Sequence, residues 1–235
     1  MLNLAAFWTD YEGFQTSSIT YEADGFPLSL LQSVGKLRTR GVEGDFNARP
    51  FPFLSVFGSG AYTDARITDF PTGPCYPGQP TVTLASASAI PQPGQCGVRP
   101  GAVTIQNLQG ARLNNAPEWK FNVGSQYDLA LQNGYGAFAS VNYRWQSDVN
   151  FSLNQDPRTV QDAYGIFDAS IGGTAQDGRY KLTLFVDNLF NKHYAVNLAD
   201  TTSGFSAAGV NALGQMWQPA RDSFRYGGVR LDARF

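Results

Sequence analysis

The chain has 235 residues, enough for one or two domains, and its formal net charge of −2 offers no basic footprint for nucleic acid. Charged residues are 15% of the total, against roughly 25% in ordinary soluble domains, while aromatics reach 14%. No apolar run approaches the roughly 20 residues of a membrane helix, yet a barrel strand needs only about 9–11 residues with every second one apolar, so the mildly negative mean hydropathy leaves a membrane barrel open.

The chain opens on Leu2-Asn3-Leu4-Ala5-Ala6-Phe7-Trp8, which reads as a strand. A secretory signal would show a basic start, an apolar core and a small-residue cleavage site, so the opening is read as that of a fragment. A first strand is expected over about 2–17, with Leu2, Leu4, Ala6 and Trp8 on one side, because strand side chains alternate between faces. The second runs over about 30–48, showing Val42, Gly44, Phe46 and Ala48. The third covers about 53–66 with Leu54, Val56, Gly58, Gly60 and Tyr62. Arg38 and Arg40 fall near the far end of strand two. There they would meet an anionic lipid or ligand, or simply form a solvated rim.

A Pro/Gly/Ser/Thr-rich stretch near 67–113 follows and has no regular pattern. It holds the two cysteines, Cys75 and Cys96, without zinc-ligand spacing or a nearby His. The first reading is a loop disulfide in an oxidising compartment, the other being free thiols.

The fourth strand alternates most clearly. Trp119, Phe121, Val123, Ser125, Tyr127, Leu129 and Leu131 share one face, and Lys120, Asn122, Gln126 and Asp128 the other. The fifth sets Tyr135, Ala137, Ala139, Val141, Tyr143 and Trp145 against Phe138, Ser140, Asn142 and Arg144. If Leu131 pairs with Tyr135, a three-residue turn closed by Gly134 at positive φ joins the two. That register puts Phe121 opposite Trp145, Val123 opposite Tyr143 and Tyr127 opposite Ala139. A slip by one would move Lys120, Asp128 or Arg144 onto lipid, at roughly 2–4 kcal/mol for a basic residue at the midplane. Tyr135 and Trp145 lie about 34 Å apart along the strand, or about 24 Å after a 45° tilt, close to the height of a lipid-facing band. Trp119, Tyr135, Tyr143 and Trp145 are therefore candidate membrane-interface aromatics.

The sixth strand is expected over about 163–174, the seventh over about 179–190 with Tyr180, Leu182, Leu184 and Val186, and the eighth over about 221–235. The last carries Gly227, Val229, Leu231, Ala233 and Phe235 on one side and Gly228, Arg230, Asp232 and Arg234 on the other. Tight connections at 49–52, 132–134 and 175–178 alternate with long ones near 19–29, 67–113, 148–162 and 191–220. Outer-membrane barrels have short periplasmic turns and long extracellular loops, so the C-terminus is expected on the periplasmic side and the cysteine loop outside. A structureless loop as long as 67–113 would be out of place in a compact soluble domain.

Four stretches in order now carry a resemblance. Gly35-Lys36-Leu37-Arg38-Thr39-Arg40-Gly41-Val42-Glu43 comes first, then Leu113-Asn114-Asn115-Ala116-Pro117 with Tyr127 downstream. Val186-Asp187-Asn188-Leu189-Phe190-Asn191-Lys192-His193-Tyr194 is third, and Tyr226-x-Gly228-x-x-Leu231-x-Ala233-x-Phe235 ends the chain. Together they resemble the C-terminal part of the β-barrel of TonB-dependent outer-membrane receptors, over nearly all of residues 1–235. The resemblance implies an all-β, antiparallel transmembrane barrel of 22 strands, of which this chain holds the last eight. It also implies an N-terminal plug domain, a periplasmic energy-coupling protein acting through that plug, and uptake of a scarce small-molecule ligand such as a ferric siderophore, cobalamin or a carbohydrate. Asn188, Leu189, Phe190 and Tyr194 match the family's strand-end motif. Tyr226, Gly228, Leu231, Ala233 and Phe235 match its terminal signal, read by the outer-membrane assembly machinery. Plug, coupling segment and roughly fourteen strands are expected to lie outside this sequence, and the fragment is not expected to transport by itself.

There is no nucleophile–base pair, phosphate loop or paired carboxylate pattern, so neither catalysis nor a cofactor is expected. His193, the single histidine, reads as an interfacial residue rather than a metal ligand. Two alternatives remain: a self-contained eight-stranded outer-membrane barrel, closed by strands one and eight, with an adhesion or structural role, and a soluble β-sandwich binding module.

Overall fold

Alternation builds one sheet of eight antiparallel strands in a computed structural model that describes residues 1–21, 27–101, 103–175, 178–202 and 213–234. The strands are β1 (Leu2–Tyr21), β2 (Pro27–Phe51), β3 (Leu54–Asp69), β4 (Trp119–Ala130), β5 (Gly136–Gln146), β6 (Tyr164–Thr174), β7 (Tyr180–Asp187) and β8 (Tyr226–Ala233). Each pairs with its neighbour in the sequence. Among the described residues β1 and β8 stand at opposite edges and do not meet, so the sheet is an open partial barrel rather than the small closed one.

The β4–β5 register follows from the side-chain pattern: Phe121 faces Trp145, Val123 faces Tyr143 and Tyr127 faces Ala139. A turn at Gln132–Gly134 joins them, with Gly134 at φ 79° and the Leu131 amide donating to the Tyr135 carbonyl at 2.8 Å. The apolar stripe is exposed along the whole wall, from Leu2 and Leu4 through Phe121, Tyr127 and Ile171 to Val229 and Leu231. Large apolar residues exposed over so broad a surface are what a lipid-facing wall requires.

The opposite face is polar but not uniformly so. Phe57, Phe138 and Phe185 stand on it, each directly opposite a glycine: Gly124, Gly172 and Gly228. A Cβ on Gly124 would lie 2.4 Å from Phe57 Cζ, and one on Gly172 2.6 Å from Phe138 Cε1. The same device appears on the apolar face, where Phe46 covers Gly58. The glycines make room for rings that lie across the neighbouring strand. Lys181 and Arg230 in turn sit over Phe138 and Phe185, at 4.2 and 5.5 Å. Ring–cation stacks thus interrupt the polar face.

Three other expectations are corrected. Residues 19–29 are not simply a long loop, because β1–β2 pairing continues through Ser17–Leu31 to Tyr21–Pro27. The Thr/Ile/Tyr-rich sequence there favours strand, and β1 runs on for roughly 40 Å past Trp8. The segment 67–113 is not structureless: Thr81–Thr83, Cys96–Arg99 and Val103–Gln106 form a small sheet. Ile67, Phe70, Leu108 and Leu153 form a buried cluster beneath it. Further pairings occupy Val149–Asn150 with Val160–Gln161 and Ala195–Thr202 with Leu213–Pro219. The buried apolar clusters therefore gather where Ile67 of β3 and Ile166 of β6 meet the connections, and not on the outward apolar stripe. Finally, β7 ends at Asp187 rather than near 190, because Asn188 turns to φ 52°.

Replacing Gly124 by Ala is expected to cost about 1–3 kcal/mol through overpacking against Phe57. Combining Gly124→Ala with Phe57→Ala should recover part of that loss. Urea unfolding of the full chain in lipid vesicles, read by tryptophan fluorescence, checks both.

Candidate functional site

Two regions concentrate polar chemistry: the polar face of the wall and the point where β7 passes into the last long connection. On the polar face, Asn3 donates to Asp45 at 3.0 Å and Gln126 to Asp128 at 2.7 Å. Arg144 Nη2 reaches Asp222 Oδ2 at 2.8 Å. Asn3, Glu43, Asp45, Lys120, Asn122 and Arg144 line a recess of about 750 Å³, bounded toward the loops by Tyr164, Tyr194 and Asp222. Both charge signs converge there, which suits contact with another polar surface or a hydrated solute rather than an apolar ligand. No group of His, Cys, Asp and Glu suited to hold a metal ion occurs among the described residues.

The end of β7 is a polar clasp. Asn188 is fully buried. Its Nδ2 donates to the Lys192 carbonyl at 2.9 Å and to the Asp222 carbonyl at 3.2 Å. Its Oδ1 accepts from the Lys192 amide at 2.7 Å, and its own amide donates to Asp168 Oδ1 at 2.8 Å. Asn191 repeats the arrangement, with φ 53° and its Oδ1 accepting from the Arg225 amide at 2.9 Å. Asparagine tolerates the left-handed region because its side chain bonds locally. The two asparagines thus close a tight turn and pin the segment that leads into β8. Leu189 continues the ladder by donating to the Phe167 carbonyl at 2.7 Å, and Phe190 is exposed against Phe167 at 5.7 Å. Tyr194 is buried and stacks on Tyr164 at 4.1 Å, with Ile166 and Ala220 beside them. Asp168, Tyr164 and Asp222 were not singled out in the sequence. Asp222 lies in an irregular segment, and only the fold brings it to Asn188 and Arg144.

Trp119, Tyr135, Tyr143 and Trp145 all lie on the apolar face. Trp119 packs on Tyr62 at 4.7 Å, and Phe121 lies between Tyr143 and Trp145 at 5.9 and 5.3 Å. Cys75 and Cys96 are joined as a disulfide with Cα atoms 5.7 Å apart. In the terminal strand Tyr226 packs on Phe185, Gly228 lies under the same ring, Leu231 faces Leu182 and Ala233 faces Tyr180. Phe235 lies outside the described residues. Glu118, just before β4, meets Arg112 at 3.1 Å and Arg66 at 3.5 Å. The irregular segment ending at Pro117 lies just before it.

Asn188→Gly keeps the backbone angle but removes three side-chain hydrogen bonds, at a cost of about 2–4 kcal/mol. Faster amide exchange at Lys192 is the expected signature. Burial holds the Tyr194 phenol above its ordinary value, the Asp222 carboxylate pushes the same way, and Arg144 opposes them. The neutral phenol is the favoured form, so its contribution to stability is complete below about pH 10 and is lost as pH rises through the raised value. Alkaline titration of tyrosine absorbance should lose a late step in Tyr194→Phe, while the step of Tyr164, which burial pushes up to about 12, remains.

The TonB dependent receptor-like β-barrel family model matches residues 1–189. No curated protein matches the chain. Among solved structures, the ferric yersiniabactin uptake receptor FyuA from Yersinia pestis superposes with a TM-score of 0.65 at 17% identity, covering 100% of this chain and 27% of that one. The siderophore receptor PiuA from Acinetobacter baumannii gives 0.58 at 14% identity, covering 98% and 25%. The copper transporter OprC gives 0.58 at 14%, covering 100% and 28%. This chain thus spans about a quarter of the length of the structures it matches. The eight-strand wall, its motifs and the family match agree: the chain belongs to the TonB dependent receptor-like β-barrel family.

Proposed function

We propose that residues 1–235 form one domain, the C-terminal eight-strand wall of an outer-membrane receptor barrel for energy-coupled uptake of a scarce ligand such as a ferric siderophore. The observation that carries this reading is the family match over residues 1–189, joined to a fold that follows receptor barrels along the whole chain. In this reading the long loops are extracellular, and the tight turns and the C-terminus are periplasmic. Trp119, Tyr135, Tyr143 and Trp145 mark the membrane interfaces.

The polar recess faces the interior of the barrel, where a plug domain and passing solute would meet Lys120 and Arg144. The edges β1 and β8 pair with further barrel strands, because lipid satisfies no backbone group. The plug and its periplasmic energy-coupling protein belong to parts of the receptor beyond this chain. Tyr226, Gly228, Leu231, Ala233 and Phe235 serve as the signal for the outer-membrane assembly machinery. The Cys75–Cys96 disulfide stabilises an extracellular loop. Asn188, Leu189, Phe190 and Tyr194 hold that signal strand against β7.

The wall reading is tested with single cysteines, since both native ones are paired. Phe121→Cys and Val123→Cys are expected to react with a lipid-soluble thiol probe, and Asn122→Cys with a water-soluble one. The reverse pattern sinks the reading. For uptake, cells expressing the receptor that contains this chain should accumulate radioactive iron presented as a ferric siderophore, and deletion of residues 1–235 should abolish the gain.

A further inference from the structure

A second recess, of about 530 Å³, lies in the connection 67–113 where it meets the segment 148–162. It shares no lining residue with the recess on the inner wall. Its volume falls within the roughly 300–1,000 Å³ of small-molecule sites. None of the described side chains that line it is charged. Its polar side chains are those of Tyr76, Gln79, Gln106, Asn107, Gln109 and Gln155.

One part of this lining is fixed. Gln106 and Asn107 are buried. With its amide oriented by its partners, Gln106 accepts from Gln79 Nε2 at 3.1 Å and donates to the Pro74 carbonyl at 2.9 Å. Gln79 Oε1 also accepts from the Tyr76 amide at 3.1 Å. Asn107 Nδ2 donates to the Pro91 carbonyl, and its Oδ1 accepts from the Gln109 amide, both at 3.0 Å. The disulfide ties the two sides together, because Cys75 precedes Tyr76 and Cys96 pairs with Gln106 across the small sheet.

The other part is open. Among the described residues the Tyr76 hydroxyl, the Gln109 side-chain amide and the Gln155 Oε1 have no hydrogen-bond partner. Gln109 is exposed and Tyr76 half-buried. Gln155 stands in the left-handed region at φ 61°, which a long side chain seldom adopts, and its Nε2 donates to the Arg112 carbonyl at 3.0 Å. Its oxygen is thus left as a free acceptor on a side chain held in place.

We propose that this recess binds an uncharged sugar chain, independently of the solute that passes through the barrel. The chemistry selects the occupant. An anion would lose its water with no cation to replace it, and an apolar ligand would strand the three free polar groups. A sugar hydroxyl both donates and accepts, so it serves the Gln109 amide, the Gln155 oxygen and the Tyr76 hydroxyl alike. The Tyr76 ring adds an apolar face for the C–H side of the sugar. Side chains already fixed by their own partners keep the cost of ordering low. Only access to sugars outside the cell rests on the long loops being extracellular; the binding chemistry does not rest on the uptake reading.

Isothermal titration calorimetry of the full chain, in a detergent without a sugar headgroup, tests this. Maltotriose, cellotriose and chitotriose are the neutral probes, trigalacturonate the charged one and a neutral proline-rich peptide the other polymer. At least one neutral trisaccharide is expected to bind about tenfold more tightly than trigalacturonate. Gln109→Ala and Tyr76→Phe should each weaken that binding about fivefold, the usual worth of one neutral hydrogen bond. Thr83→Ala, exposed on the same small sheet outside the recess, should leave it unchanged. Gln109→Arg should shift the preference toward trigalacturonate. Retention on the matching polysaccharide, amylose, cellulose or chitin, assigns the site to a glycan chain; binding of the free trisaccharide without it assigns a diffusible sugar. Equal binding of neutral and acidic sugars, no binding of any neutral one, tighter binding of the peptide, or undiminished affinity in both Gln109→Ala and Tyr76→Phe overturns the sugar site. None of these outcomes bears on the wall, which the thiol-probe pattern at Phe121→Cys and Asn122→Cys decides.

Discussion

In hydrocarbon a peptide group has no partner except another peptide group, and this condition governs the wall. Each of the eight strands pairs with its neighbours through backbone ladders, and the side chains are left to deal with two solvents. One face can then be almost wholly apolar and the other polar without any conventional interior between them. The apolar residues that a soluble protein would hide are on the outside, and the open edges at β1 and β8 are the places where that satisfaction is incomplete within the chain.

Where the chain leaves hydrocarbon the rules revert. The long connections bury Phe70, Leu108 and Leu153 against Ile67 of β3 in the ordinary manner and add short strand pairings and a disulfide. The two regimes meet at particular residues. On the outer side, the junction is the row of Trp8, Arg40 and Asp64, where arginines oriented by Asp64 replace aliphatic side chains. On the inner side, it is the Asn188 clasp, which stops β7 and returns the chain toward β8. Both junctions fix the connections to the wall at defined points.

Glycine performs a steric task in the wall that composition alone does not reveal. Gly124, Gly172 and Gly228 each receive a phenylalanine from the adjacent strand, and two of those rings carry a cation above them. Rings on the polar face thus become part of the sheet's own cross-strand packing and leave the cations on the side of the recess.

Eight strands, their neighbour-to-neighbour order, the β4–β5 register and the assignment of faces were all legible from residue alternation. The reason is physical: a period of two against two different solvents allows one register and penalises every other. Strand ends and loop interiors were not legible in this way. Continued β1–β2 pairing past Ser17, the small sheet around Cys96 and the burial of Leu108 depend on contacts between segments far apart in sequence, which no local period encodes. The Asn188 motif was visible, but its partners were not, since Asp168 and Asp222 lie 20 and 34 residues away and only the sheet brings them to it. Sequence by itself determined which face of the sheet each strand residue occupies, because that depends on its parity. Tertiary structure alone decided which charges pair and which side of a salt bridge stays open, because those depend on neighbours supplied by other strands.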